Sequence, residues 1–281
     1  MGSVPAIGPL RIQRGSPSKN AAKRSALTPR VLGPGGLLVA PLVLLLVWEL
    51  ASRTGILPQR LLAAPSTALA SGWDLALNGT LWKAFYASAL RAYSGLAIGV
   101  AAGVVLALLS GLTRAGEASI DGIVQIKRAI PTLALIPLAI LWLGIGETMK
   151  IAIISLSVMI PVYLNTHAGL RGIDLRFVEL ARTVRLDRKT FVRRVALPGA
   201  LPSFFTGLRL AVTTCWTTLI VLEQINTTNG IGYMMSRARD YGQTDIIVLG
   251  LVIYAVLGLA SDAVVRAIER RALRYRKVIG S

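Results

Sequence analysis

The sequence predicts an all-α integral membrane protein with about six transmembrane helices, on three observations. Charged residues make up 16% of the 281 and hydrophobic ones 54%, whereas a soluble domain carries roughly 25% charged residues. The apolar residues gather in runs close to the ~20 that a helix needs to cross ~30 Å of hydrocarbon. The cations cluster between those runs, and they favour alternate loops.

The net charge of +18 would suit a nucleic-acid partner. Its distribution excludes one: the cations occupy short stretches between apolar segments and form no basic face or RNA-binding motif. Loops retained in the cytoplasm keep their Lys and Arg, which explains the excess. Membrane lipid is the predicted surroundings.

Residues 1–30 read as a flexible basic tail, with Arg11, Arg14, Lys19, Lys23, Arg24 and Arg30 and no acid. The first span is predicted at about 31–51, with Pro34 and Pro41 inside it. It is longer than the apolar core of a signal peptide, and further spans follow, so it is expected to stay. Between 52 and 83, Pro58, Pro65, Ser66 and Thr67 mark turns. A short amphipathic helix is expected near 66–77, and Trp73 and Trp82 suit a membrane interface. The second span, about 84–112, carries Gly95, Gly99 and Gly103. That spacing makes a small-residue stripe for close helix packing. Arg91 near its start is expected to snorkel or to pair.

The third span, about 120–143, contains Pro131 and Pro137, which should kink it. Gly144-Ile145-Gly146 makes a tight turn into the fourth span, about 148–170, with Pro161 inside. The fifth span is expected at about 204–223 and the sixth at about 245–268. Glu223, at the outer end of the fifth, is expected to pair with an Arg of the last outer loop or to meet an external partner. An even number of spans puts both termini on one side, and the basic tail makes that side the cytoplasm. The loop 171–202 and the tail 269–281 then fall inside, and both are rich in Arg. The outer loops hold fewer cations, with none in the turn at 144–147.

The loop 171–202 has helical periodicity. Phe177, Leu180, Ala181 and Val184 form one apolar stripe. Asp187 can cap a second helix with its own stripe, Phe191, Val192, Val195 and Ala196. Pro198 and Pro202 are expected to end the pattern. Two short helices joined by a tight turn would protrude, their stripes covered either by the protein's own spans or by another subunit.

Glu179-Leu180-Ala181 followed by Val195-Ala196-Leu197-Pro198 resembles the EAA signature of ATP-binding-cassette (ABC) importer permeases. In that signature, Glu-Ala-Ala and a later Gly precede an Ile-x-Leu-Pro segment, with the same spacing. One position departs: Arg185 stands where the family has Gly. A Gly there would end the first helix in a left-handed conformation. An Arg in that conformation costs on the order of 1–2 kcal/mol, unless Asp187 takes over the break. The resemblance extends over about residues 40–275. It includes the segments Arg128–Leu138, Leu141–Thr148, Pro161–Thr166, Leu197–Pro202 and Gly230–Tyr233, which are similar to the nitrate, sulfonate and taurine branch. Asn165-Thr166 and Ala238-Arg239-Asp240 look closest to aliphatic-sulfonate permeases.

The resemblance implies a type I ABC importer permease fold with a coupling helix between helices 4 and 5. Glu179, Leu180, Ala181, Arg182, Arg185, Leu186, Asp187, Val195, Leu197 and Pro198 would then face an ABC ATPase subunit. It also implies a second copy of the permease and a periplasmic or lipid-anchored solute-binding protein. ATP and Mg would sit on the ATPase, with no cofactor on this chain. No Lys here follows a Gly, so no Gly-Lys-Ser/Thr phosphate loop is present. The cargo would be a small organic anion: an aliphatic sulfonate, taurine or nitrate. Polar residues expected along its path are Thr132, Ser155, Asn165, Thr214, Thr217 and Thr218, although Ser and Thr in spans often bond their own backbone. Cys215 and His167, each the only residue of its kind, read as packing residues, so no catalytic or metal site is expected. A stand-alone secondary transporter or channel is the rival, but the spans hold little charge to couple to an ion gradient.

Overall fold

The computed structural model describes residues 36–225 and 227–274; the predicted tail 1–30, the start of the first span at 31–35 and the tail beyond 274 lie outside it. The chain divides between Val47 and Trp48. The first part of helix α1, Gly36–Arg53, belongs to the first unit. The second unit begins at Trp48 and holds the other described helices.

The short helix expected near 66–77 is α2, Pro65–Leu77, with Pro65 in its first turn, where no N–H is needed. Gly72 lies against Leu249, and Ala68, Val248 and Leu249 form a small apolar cluster. Helix α3, Thr80–Leu112, runs 33 residues without a proline. Its glycine stripe does what its spacing predicts. A Cβ on Gly99 would lie 2.5 Å from the Ser155 carbonyl oxygen, and one on Gly103 would lie 2.8 Å from that of Met159. The α3 backbone therefore lies directly on α6, Glu147–Arg171.

The predicted third span is not one kinked helix. It is α4, Glu117–Ala129, and α5, Thr132–Leu143, bent by 91°. The cause is local. A residue before proline is driven to extended backbone, and Ile130 takes φ −91°, ψ 119°. Pro131 then starts a 3-10 turn, Thr132–Leu135. Pro137 does not kink anything. It falls in the first turn of the α-helical part, Ile136–Leu143. Gly144, at φ 72°, closes α5 and makes the predicted turn into α6.

Helix α7, Leu175–Thr183, is capped by Asp174, whose carboxylate accepts from the Arg176 amide. The next helix overturns the expectation that Pro198 and Pro202 end the pattern. Helix α8 runs unbroken from Arg188 to Ile225, 38 residues. A π turn at Val192–Ala196, closed by the Leu197 amide on the Val192 carbonyl, shifts the hydrogen-bond register just before Pro198. The proline ring then meets no tight turn. Helix α9, Ile231–Asp240, and α10, Thr244–Ala272, complete the order.

Among the described residues, four helices (α3, α6, α8 and α10) are long and apolar enough to cross a membrane; the bent pair α4–α5, taken as one broken span, makes five. The count of about six predicted from sequence is thus reduced to four or five, with α1 the remaining predicted crossing. The fold is an all-α, multi-pass membrane fold. Its core lies between α3, α6 and α8, where Ile154, Val158, Val162, Val212, Cys215 and Leu219 are buried. His167 stacks on Tyr163, and the Cys215 thiol donates to the Ala92 carbonyl at 3.3 Å. Both are packing residues, as expected.

Candidate functional site

Three places in the chain bring polar chemistry together. The first is the connection α7–α8. Arg185 has φ 49°, the only non-glycine positive φ among the described residues. The Leu186 amide donates to the Ala181 carbonyl at 2.8 Å, and the Arg185 amide to that of Arg182 at 3.1 Å. These two bonds make the Schellman pattern that glycine ordinarily completes. Two residues on, the Asp187 carboxylate accepts from the Thr190 amide at 3.0 Å and caps α8. Both outcomes weighed from the sequence therefore occur together: Arg185 takes the left-handed turn, and Asp187 starts the next helix. Bonds to the Thr190 hydroxyl and amide hold the Asp187 carboxyl below the usual carboxylate range.

The two apolar stripes part company. Phe177 and Leu180 on α7 and Val184 at its C-cap are 55%, 59% and 62% exposed. Those of the second stripe turn inward: Ala196 is buried, and Phe191 packs with it against Leu170 and Ala200. Arg188 ties this end to α3 through the Leu112 carbonyl at 2.7 Å. Of the two covers considered for the α7 stripe, the described spans of the chain do not supply one.

The second place was only half seen in the sequence. Arg91 pairs, as one of its two expected options, but its partner is Glu223, and the expected link from Glu223 to an Arg of the last outer loop does not form. Arg91 Nη1 lies 2.6 Å from Glu223 Oε1. Its Nε and Nη2 meet both oxygens of Glu147, at 2.5 and 2.8 Å. Nη1 also donates to the Asn229 carbonyl at 2.9 Å, and Nη2 to the Asn229 side-chain oxygen. Glu223 accepts further from Ser88 at 2.7 Å, the Gly232 amide at 2.9 Å and Tyr254 at 2.9 Å. Lys150 donates to Glu147 at 3.0 Å. Two cations and two carboxylates balance, and each buried charge has its hydrogen bonds, which a charge in this position requires. Gly230 (φ 118°) permits the close approach, since a Cβ there would sit 2.6 Å from Glu223 Oε1. The network ties α3, α6, α8, α9 and α10 together at one end.

The third place is an open cavity of about 420 Å³ beside the α4–α5 break, lined by Lys127, Arg128, Thr132, Ser157, Asn165 and Thr214, with Ile160, Leu164 and Leu210 as apolar walls. Three of the predicted path residues, Thr132, Asn165 and Thr214, meet here. The other three do not. The Ser155 hydroxyl bonds its own helix at the Ile151 carbonyl, 2.7 Å away. Thr217 bonds the Thr213 carbonyl and lines a separate cavity with Trp216, Tyr254 and Asp262. Thr218 is buried. Lys127 and Ser157 line the same cavity and were not singled out as path residues from the sequence; a Lys beside a Pro-broken span was the available signal. Among the described residues, no group of His, Cys, Asp and Glu is arranged to hold a metal.

Stacked apolar helices and a broken span make this a multi-pass membrane protein. The chain belongs to the family of binding-protein-dependent transport system inner membrane components, whose family model matches residues 99–274. It is 43% identical to the "Putative aliphatic sulfonates transport permease protein SsuC" of Escherichia coli (strain K12), over 84% of this chain and 89% of that one. It is 31% identical to the taurine transport system permease protein TauC of the same organism, over 82% of this chain and 85% of that one. A crystal structure of an amino acid ABC transporter superposes with TM-score 0.59 over 70% of this chain and 96% of that one, at 16% identity, which is a likeness of fold. The chain is the inner-membrane permease subunit of an ABC importer, a transport subunit coupled to a separate ATPase and not a catalytic one. The rival reading as a stand-alone transporter gives way to this membership.

Proposed function

We propose that this permease carries an aliphatic sulfonate across the inner membrane, with taurine and nitrate as the neighbouring substrates, and that it receives its drive through the loop 171–202. The uncovered stripe on α7 carries the coupling half of this reading. Exposed Phe177 and Leu180, with Val184 at the cap, belong to the helix bearing Glu179-Leu180-Ala181, and an apolar stripe of this kind gains affinity by seating in a partner's groove. The substrate half rests on the two relatives named for sulfonates and taurine.

In this reading the ATPase grips Glu179, Leu180, Ala181 and Arg182, with the turn at Arg185, Leu186 and Asp187 setting the angle. Val195, Leu197 and Pro198 hold α8 against it. The termini and the loop 171–202 face the cytoplasm, with α1 as a sixth crossing, in keeping with the Arg-rich loop and tail. Two copies of the chain form the path, and a periplasmic or lipid-anchored binding protein delivers the substrate. The path passes Thr132, Asn165 and Thr214.

Deleting the gene for this chain tests the substrate. Growth should be lost on alkanesulfonates as sole sulfur source and kept on sulfate; undiminished growth on every sulfonate overturns the assignment. Glu179→Lys and Ala181→Asp test the coupling. Both should lose the ATPase on purification, and full retention in both would refute the loop's role.

A further inference from the structure

Lys127 has an unusual setting for a cation beside apolar helices. Among the described residues, no carboxylate lies within ion-pair reach of it, and the lining of its cavity contains Arg128 but no Asp or Glu. The network around Arg91 shows how this chain treats a buried cation when the cation is structural: it supplies two carboxylates. At Lys127, which is only half-buried, the hydrogen-bond partner among the described residues is a hydroxyl, Thr132 Oγ1, at 2.5 Å. That hydroxyl accepts from the ammonium, so its own proton is left to donate elsewhere.

A second, independent observation sits across the same cavity. Ser157 is 4% exposed, and its hydroxyl has no hydrogen-bond partner. Several hydroxyls on these spans bond a carbonyl one turn back, as Ser155 and Thr214 do. Ser157 does not, although it lines the cavity with Lys127. A buried hydroxyl left unpaired costs about 1–3 kcal/mol, a cost that an acceptor entering the cavity beside Ser157 would relieve. Asn165 donates one amide proton to the Pro161 carbonyl at 2.9 Å, and its amide nitrogen has a second proton to give. Ile160, Leu164 and Leu210 form the apolar side.

We propose that this cavity is a binding station for the anionic head of the transported molecule: a singly charged oxyanion on a short aliphatic stem, with Lys127 as its charge partner, Thr132 and Ser157 as donors and the apolar wall receiving the stem. The station rests on the substrate reading above and adds to it the residues that hold the charge. An excess of donors with no carboxylate fits a sulfonate, which only accepts hydrogen bonds, and repels a cation.

The test uses the purified complex of this chain with its ATPase in lipid nanodiscs, without the binding protein, and measures equilibrium binding of radiolabelled ethanesulfonate, with sulfate and nitrate as competitors. Wild type should bind. Lys127→Gln should weaken binding about tenfold or more and Ser157→Ala less so, while Lys127→Arg should retain it. Competition by sulfate or nitrate as strong as by unlabelled ethanesulfonate would show that the stem adds nothing, and would overturn the apolar half. ATPase retention on purification separates a misfolded variant from one that has lost the site. If Lys127→Gln binds as wild type does, the station is refuted while the substrate assignment stands. So too if wild type binds none of the three anions although cells need the chain for sulfonate growth. If cells do not need it for any sulfonate, the substrate reading falls, and failure of nitrate and sulfate to bind in a Lys127-dependent way would remove the station as well.

Discussion

Arg91 and Glu223, 132 residues apart in sequence, face each other inside the protein at 2.6 Å, with 3% and 1% of their surfaces exposed. Glu147, the other carboxylate on Arg91, is largely exposed. The pair should therefore respond unequally to mutation. Arg91→Leu leaves Glu223 buried without a counter-charge and should cost about 3–5 kcal/mol. Glu147→Gln leaves Arg91 still paired and should cost about 1 kcal/mol. Thermal unfolding of the detergent-purified chain measures both, and equal melting shifts would contradict the inner role of Glu223.

The α3 stripe gives a paired prediction. Gly99→Ala puts a methyl 2.5 Å from the Ser155 carbonyl oxygen, which forces α3 and α6 apart and should destabilise by about 1–3 kcal/mol. Gly122→Ala, on α4, meets nothing within 4 Å and should be neutral or slightly stabilising. Folded yield and melting temperature read the difference; a neutral Gly99→Ala would show that the helices are not in backbone contact.

Arg185 holds a backbone conformation that glycine adopts without strain. Arg185→Gly should stabilise the α7–α8 turn by up to about 1 kcal/mol and slow proteolysis within it, while Arg185→Val should do the reverse, because a β-branched residue tolerates positive φ worst. Faster cleavage of the Gly variant would indicate that the Arg side chain, and not the backbone, sustains the turn.

The cap at Asp187 predicts a pH dependence. Bonds to Thr190 lower its pKa in the folded state, so its contribution is present above the ordinary carboxylate pKa and is lost as pH falls through the folded value. Hydrogen exchange of the Thr190 amide should therefore gain protection from acid towards neutral pH. In Asp187→Asn, which still accepts the bond, protection should not vary over that range. A pH-dependent Asn variant would trace the effect to another group.

How much of this could be read from the chain alone depends on the range of each cause. The Gly144 turn and the Asp187 cap depend on neighbours within a turn or two, and they appear where the residues put them; the glycine stripe shows its close packing by spacing, though not which helix it meets. The break at Ile130–Pro131 is just as local, but the expectation of a kink weighed only the proline's lost bond and not the extended backbone forced on Ile130. Pro198 misled for the opposite reason: the π turn before it absorbs the ring, and nothing in the residues Val192–Ala196 marks a π turn. The partner of Arg91 and the cavity of Lys127 depend on which helices come to lie together, and a single sequence carries no record of that.

The continuity of α8 has one more effect. At 1.5 Å per residue its 38 residues measure about 57 Å, with Arg188 at one end and Leu210 and Thr214, which line the cavity of Lys127, more than halfway along. A flexible hinge at Pro198 would let the end of this rod swing without disturbing its middle. With the helix continuous through Pro198, a push at Arg188 is expected to reach Thr214 along one and the same helix and to change the outline of the cavity there.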